Sequence, residues 1–123
     1  MKIFIILGAI NAALAVALGA FGAHGLEGKI SAKYLEVWKT GVQYHMFHAI
    51  GLFLIGLLVN KIPQSTLISA SGWLMFIGII LFSGSLYVLS TSGIKVLGAI
   101  TPLGGGAFIT AWVFLVIAAI KWL

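Results

Sequence analysis

The histidines are the residues of this chain with the widest range of chemistry. His45 and His48 are three residues apart, so a helix would place them on one face. With His24 or a glutamate they could ligate a metal such as Zn²⁺, and an imidazole also titrates near neutral pH, as proton handling requires. No tight third ligand accompanies the pair. We therefore predict no metal site and no cofactor, and expect a network in which the imidazoles hydrogen-bond to carbonyls and hydroxyls.

Further polar and glycine residues are predicted to meet at the same end of the helices as the histidines. We call this set the polar pole; it comprises His24, Tyr44, His48, Tyr87, Thr101, Gly104 and Gly105. Ionisable and hydrogen-bonding groups inside a membrane boundary are functional candidates by default. Exposed backbone amides near the glycines, with Lys29 or Lys95, would suit an anionic lipid headgroup. The polar pole is thus the predicted ligand-binding site.

Four uncharged runs must position these residues, namely 3–23, 42–59, 67–89 and 102–120. A helix needs roughly 20 residues to cross about 30 Å of hydrocarbon, and each run meets or approaches that length. The chain is 62% hydrophobic and 7% charged, which excludes an ordinary soluble domain. We predict an all-α, multi-pass membrane protein with four transmembrane helices in an antiparallel bundle, forming one domain over residues 1–123.

The charge pattern narrows the class of partner. The net charge is +5, but the lysines are scattered singly through loops and ends, so lipid headgroups are a better counter-charge than nucleic acid. The absence of cysteine excludes disulfides and thiolate chemistry. The first apolar run is longer than the core of a signal peptide, about 7 to 15 residues, so we expect it to remain as a membrane helix. No catalytic motif is present, and we predict that the protein is not an enzyme.

The segment before the second uncharged run is amphipathic. Starting from Ser31 as a helix N-cap, Tyr34 and Trp38 lie on one helical face, as in helices at the membrane interface. This pattern predicts a separate interfacial helix that bends into the membrane at Gly41. The alternative is one continuous helix over residues 31–59, whose first part would lie outside the hydrocarbon.

Small residues and one amide are predicted to pack the first span against other helices. The set comprises Gly8, Asn11, Ala12, Ala15 and Gly19. Small side chains let membrane helices approach closely, and a buried amide must face a neighbour. The small residues Ser71, Gly78 and Ser85 of the third span are the expected partner surface, and Thr110 and Trp112 of the fourth span lie at the depth of Asn11.

Several motifs in this order resemble one known family. They are the segments 19–26 (GAFGAHGL), 41–49 (GVQYHMFHA), 82–87 (FSGSLY) and 101–105 (TPLGG), followed by Trp112. The chain is similar to the domain-of-unknown-function 423 family (UPF0382) of small bacterial inner-membrane proteins, which is related to eukaryotic transmembrane protein 256. The resemblance implies a four-span inner-membrane protein and carries no activity that transfers to these residues.

Two functional classes are consistent with these features. The first is a structural or lipid-interacting membrane module, with membrane lipids and a second copy of the chain as partners. The alternative is a subunit of an oligomeric transporter or channel for a small solute or ion, because 123 residues must oligomerise to enclose a path. The sequence identifies no small-molecule ligand.

Overall fold

The computed structural model describes residues 2–123, and within that range the chain is helical, with no β-strand. Four continuous helical segments are long and apolar enough to cross a membrane: Ile3–Leu26, Ala32–Lys61, Thr66–Ser92 and Lys95–Trp122. The predicted all-α fold with four spans is confirmed.

Two of the spans contain a π-helical turn and one begins with a 3₁₀ turn. The first span is α1 (Ile3–Phe21) followed by the π-helical turn Gly22–Leu26, and the second is α2 (Ala32–Lys61). The third comprises α3 (Thr66–Gly78), the π-helical turn Ile79–Gly84 and α4 (Ser85–Ser92). In the fourth, the 3₁₀ turn Lys95–Ala99 precedes α5 (Thr101–Trp122).

The amphipathic segment does not form a separate interfacial helix. Ser31 caps α2, because its Oγ accepts a hydrogen bond from the backbone N–H of Tyr34 at 3.1 Å. The helix then runs without interruption for 30 residues, or about 45 Å, so its ends extend beyond the hydrocarbon. Gly41 does not bend it. A Cβ there would lie 3.0 Å from the Tyr87 ring, so this glycine serves close packing instead.

The second and third spans form the centre of the molecule. In their most apolar stretches 44% and 39% of the residues are buried, against 22% in the first and fourth spans. α1 packs mainly on α2, and α5 packs mainly on the third span, while α1 and α5 share no extensive contact. The four helices therefore form an open, flattened bundle. The backbone of each outer helix approaches one neighbour closely and meets the other mainly through side chains, which leaves a groove beside each outer helix.

The small residues of the first span lie against α2. A Cβ added to Gly8 would come within 2.7 Å of the backbone nitrogen of Phe53, and one added to Gly19 would lie 3.2 Å from Cγ1 of Val42. Ala15 is fully buried, and Ala12 is partly buried. Backbone-to-backbone contact at Gly8 is the close approach that small residues permit in membranes.

The expected pairing of these residues with the third span is wrong. The small residues of the third span face α5 instead: Ser71 donates a hydrogen bond to the carbonyl of Ala111 at 2.7 Å, and a Cβ on Gly78 would overlap the Phe108 ring. The fourth span thus packs on the surface of the third span that was predicted to bind the first span. Both surfaces are small and apolar, and a sequence pattern cannot distinguish their partners.

Candidate functional site

A chain of hydrogen bonds joins the first three spans around His45. The amide nitrogen Nδ2 of Asn11 donates to the carbonyl of Leu7 at 2.8 Å, so Oδ1 of Asn11 is the acceptor that faces His45. His45 Nε2 donates to that oxygen at 2.9 Å, and its Nδ1 accepts from the Tyr87 hydroxyl at 2.9 Å. Burial disfavours a charged ring, so we assign His45 as a neutral imidazole with its single N–H at Nε2 and its lone pair at Nδ1.

His48 has the opposite tautomer. Its Nδ1 donates to the carbonyl of Tyr44 at 2.8 Å, and its Nε2 accepts from the indole N–H of Trp112 at 3.1 Å. An indole nitrogen can only donate, so Nε2 of His48 must carry the lone pair. The ring also stacks on Phe108, with centroids 3.5 Å apart and planes 6° from parallel. Every ring nitrogen of His45 and His48 thus has a hydrogen-bond partner within the protein.

His24 does not join the other two histidines. It lies exposed in the π-helical turn Gly22–Leu26, at the level of Trp38, whose ring would contact a Cβ on Gly22. His45 is seven residues farther along α2, or about 10 Å. The three histidines therefore do not form one cluster: His24 lies near the end of the first span, and His45 and His48 lie about 10 Å farther along the bundle. The helix α2 begins at Ala32, well before the uncharged run, so His45 and His48 lie several turns inside it.

Thr101 and Gly104 connect the fourth span to the third. The hydroxyl of Thr101 lies 2.6 Å from that of Ser85, and Ser85 also donates to the carbonyl of Phe82 at 2.9 Å. A Cβ on Gly104 would overlap the backbone of Phe82. Gly105 has more room, because a Cβ there would only touch the Phe82 ring at 3.9 Å. Of these three members of the polar pole, only Gly105 faces open space.

The expected neighbours of Asn11 in the fourth span bind other groups. Thr110 is exposed and donates to the carbonyl of Gly106 at 2.8 Å, within its own helix. Trp112 donates to His48 instead. Asn11 faces a neighbouring helix as predicted, but that helix is α2, and its partner there is His45.

A cavity of about 560 Å³ lies between α2 and α5 and is lined by three members of the polar pole, Tyr44, His48 and Gly105. We call it the aromatic groove; its walls include Tyr44, Phe47, Phe82, Phe108 and Trp112, with Gln43, His48, Gly105 and Ile109 also lining it. Within residues 2–123, the Tyr44 hydroxyl and the Gln43 side chain have no hydrogen-bond partner, and both residues are exposed. Sequence reasoning missed every member of this groove except Tyr44, His48 and Gly105. The aromatic residues were visible, but only the packing of α5 brings them together.

A smaller cavity of about 240 Å³ lies on the other side of the molecule, between α1 and the third span. Asn11, His45 and Tyr87 line it together with aliphatic residues. The π-helical turn Ile79–Gly84 contributes to both cavities, with Ile80 on this side and Phe82 in the aromatic groove. π-helical turns occur frequently at functional sites.

The π-helical turn is held in place by α2. Ser83, fully buried within that turn, donates to the carbonyl of Gly41 at 2.7 Å. The bond gives a polar contact between the second and third spans at a point where the normal helical pattern of the third span is interrupted. Both cavities therefore share one wall, and this hydrogen bond joins that wall to α2.

Four apolar helices, buried neutral imidazoles and lateral grooves define a small polytopic membrane protein. The chain belongs to the family described as protein of unknown function (DUF423), which matches residues 18–105. It is 66% identical over 123 residues to the UPF0382 membrane protein YwdK of Bacillus subtilis (strain 168), with both chains covered completely. The UPF0382 membrane protein SERP0230 of Staphylococcus epidermidis is 54% identical over 121 residues, covering 98% of each chain.

These comparisons confirm the family resemblance seen in the sequence and the assignment to a membrane. The names of these relatives describe membrane proteins and state no enzymatic activity. The family description assigns no function. No solved structure matches the chain.

Proposed function

We propose that this protein is a non-enzymatic module of the bacterial inner membrane that binds a membrane lipid in the aromatic groove. The observation that supports this function is the cavity of about 560 Å³ between α2 and α5. Its residues on α5 extend from Gly105 to Trp112, inside the membrane-spanning helix. A molecule already in the bilayer can therefore enter from the side. A volume of this size lies within the usual range for ligand sites.

The groove has the polarity of a site for an amphipathic molecule. Phe47 and Trp112 line its inner part, while Gln43 lies nearer the start of α2. Lys39 is four residues before Gln43, on the same helical face, and its ammonium lies 3.5 Å from the Glu36 carboxylate. An apolar group in the groove would thus lie below a polar and charged helix end.

No observation favours the transport alternative over lipid binding. Both cavities lie beside an outer helix rather than along a common axis. The polar atoms at the bottom of the smaller one bind each other, since His45 uses both ring nitrogens for Asn11 and Tyr87. The same hydrogen bonds support a non-enzymatic role, because they leave these buried groups without a free donor or acceptor for chemistry on a substrate.

Native mass spectrometry of protein released from membranes tests the proposal. The wild-type protein should retain lipid, and Gly105→Leu should lose it, because the leucine side chain would fill the groove without a clash at its Cβ. Gly106→Leu is the matched control. It makes the same change one residue along the helix, at a position where a Cβ meets nothing within 4 Å.

Circular dichroism should show the same helix content in all three proteins. Retention of equal lipid by Gly105→Leu and wild type, with both folded, would contradict lipid binding in the groove. The native mass spectra also report the number of protein copies in each complex. They therefore test the self-association expected from the sequence.

A further inference from the structure

We propose that the lipid of the aromatic groove carries a flat, neutral ring with carbonyl acceptors, as an isoprenoid quinone does. This inference rests on the proposed lipid-binding function and names the class of ligand. It follows from three features of the groove: the exposed aromatic ring of Tyr44, the kind of polar group left unpaired, and the depth of the cavity along α5.

Three aromatic rings of the groove, those of Tyr44, His48 and Phe108, are nearly parallel, whereas the Phe47 and Trp112 rings are inclined to His48 by 66° and 57°. The Tyr44 ring lies 11° from parallel with that of His48, with centroids 6.3 Å apart, and His48 in turn is 6° from parallel with Phe108. Tyr44 is 41% exposed, so part of its ring is free for contact. Aromatic rings favour offset stacking on other flat π-systems. His48 and Phe108 are buried and stack on each other, so the exposed part of the Tyr44 ring is the surface on which a planar ring can stack.

The unpaired polar groups of the groove are neutral donors. His48 and Trp112 bind each other, so they offer no donor to a ligand. The Tyr44 hydroxyl and the Gln43 amide remain, and each can donate to a carbonyl oxygen. No residue that lines the groove carries a charge. A phosphate headgroup would require cationic partners, whereas a ring carbonyl requires only a neutral donor.

The depth of the groove also fits an apolar ring. Gly105 and Trp112 lie four and eleven residues after Thr101, the first residue of α5. At about 1.5 Å per residue, the cavity extends from roughly 6 to 17 Å along that helix. A ring bound there would lie among the hydrocarbon chains, and its isoprenoid tail could continue between the lipids.

Binding of 2,3-dimethoxy-5-methyl-6-decyl-1,4-benzoquinone to the purified full-length protein tests the inference, with native mass spectrometry as the readout. We expect a saturable adduct of one quinone per protomer. Tyr44→Phe keeps the ring but loses the hydroxyl donor, and should weaken binding about fivefold, the equivalent of one hydrogen bond. Gly105→Leu should abolish the adduct, while Gly106→Leu should bind like wild type.

Phosphatidylglycerol, titrated in parallel, distinguishes the two proposals. If it binds in a manner that Gly105→Leu abolishes while the quinone does not bind, the ring assignment is overturned and lipid binding stands. Quinone binding that is unchanged by Gly105→Leu also overturns the ring assignment. If neither compound binds and the wild type retains no native lipid, both proposals are wrong.

Discussion

Nε2 of His45 lies 2.9 Å from Oδ1 of Asn11, and this contact links α1 to α2 by side-chain polar atoms in the interior of both spans. Asn11 and His45 are 7% and 2% exposed. The contact continues through Tyr87 to the third span. Because lipid supplies no alternative hydrogen-bond partner, the three side chains define how deep these helices lie relative to one another.

The first prediction concerns the energy of this contact. Asn11→Leu should lower the free energy of unfolding by about 1–3 kcal/mol, because it leaves the Nε2 hydrogen of His45 without an acceptor. In a double-mutant cycle with His45→Leu, we expect a coupling of about 0.6–1.7 kcal/mol, the range for hydrogen bonds between membrane helices. Unfolding in mixed micelles measures all four proteins. Strictly additive effects would show that the contact contributes nothing.

The second prediction is that the two buried histidines carry opposite tautomers. ¹⁵N solid-state NMR at neutral pH should show His45 protonated at Nε2 and His48 at Nδ1. Tyr87→Phe removes the donor to Nδ1 of His45, so it should shift the His45 signals and leave those of His48 unchanged. The same tautomer at both positions, or a doubly protonated ring at either, contradicts the assigned network.

The third prediction compares two glycines of the first span. Gly8→Ala should lower the free energy of unfolding by about 1–3 kcal/mol, because its Cβ would meet the backbone of Phe53, which cannot move aside easily. Gly19→Ala should cost less, since its Cβ meets only the side chain of Val42. Gly19→Leu is larger and should disrupt the packing of α1 on α2.

Gly98→Ala is the control for these glycine substitutions, because a Cβ at Gly98 meets nothing within 4 Å. Thermal unfolding followed by circular dichroism gives the order of stability. The interpretation of the first span as a close-packed surface fails if Gly8→Ala is as stable as Gly98→Ala.

The fourth prediction is topological. Lys39 and Lys95 should lie on one side of the membrane, and Lys2 and Lys121 on the other, because four helices cross between them. Single cysteines introduced at these positions can be labelled individually, since the native chain has no cysteine. A membrane-impermeant maleimide applied to sealed vesicles should modify only one pair. Modification of positions 39 and 121 from the same side is incompatible with four spans.

The details of the candidate site show where sequence reasoning reached its limit. The amide of Asn11 had to face a neighbour, since an unpaired amide in lipid is costly, and this much was predictable. That His45 is the partner of Asn11 was not predictable from the sequence. Their meeting depends on α2 continuing through Gly41, which places His45 several turns inside the helix and opposite α1. A glycine allows either a bend in the helix or a close contact with a neighbour. At Gly41 the structure has the close contact, with the Tyr87 ring.

The sequence by itself determined that the chain lies in a membrane, that it has four spans and that Ser31 caps a helix. These features depend on local hydrophobicity and on backbone hydrogen bonds within single helices. Only the tertiary structure decided that α1 packs on α2, that α5 packs on the third span, and that an aromatic groove remains between α2 and α5. The physical reason is that nearly every face of these helices is apolar. Lipid favours none of them, so close backbone contacts and a few hydrogen bonds select the partners.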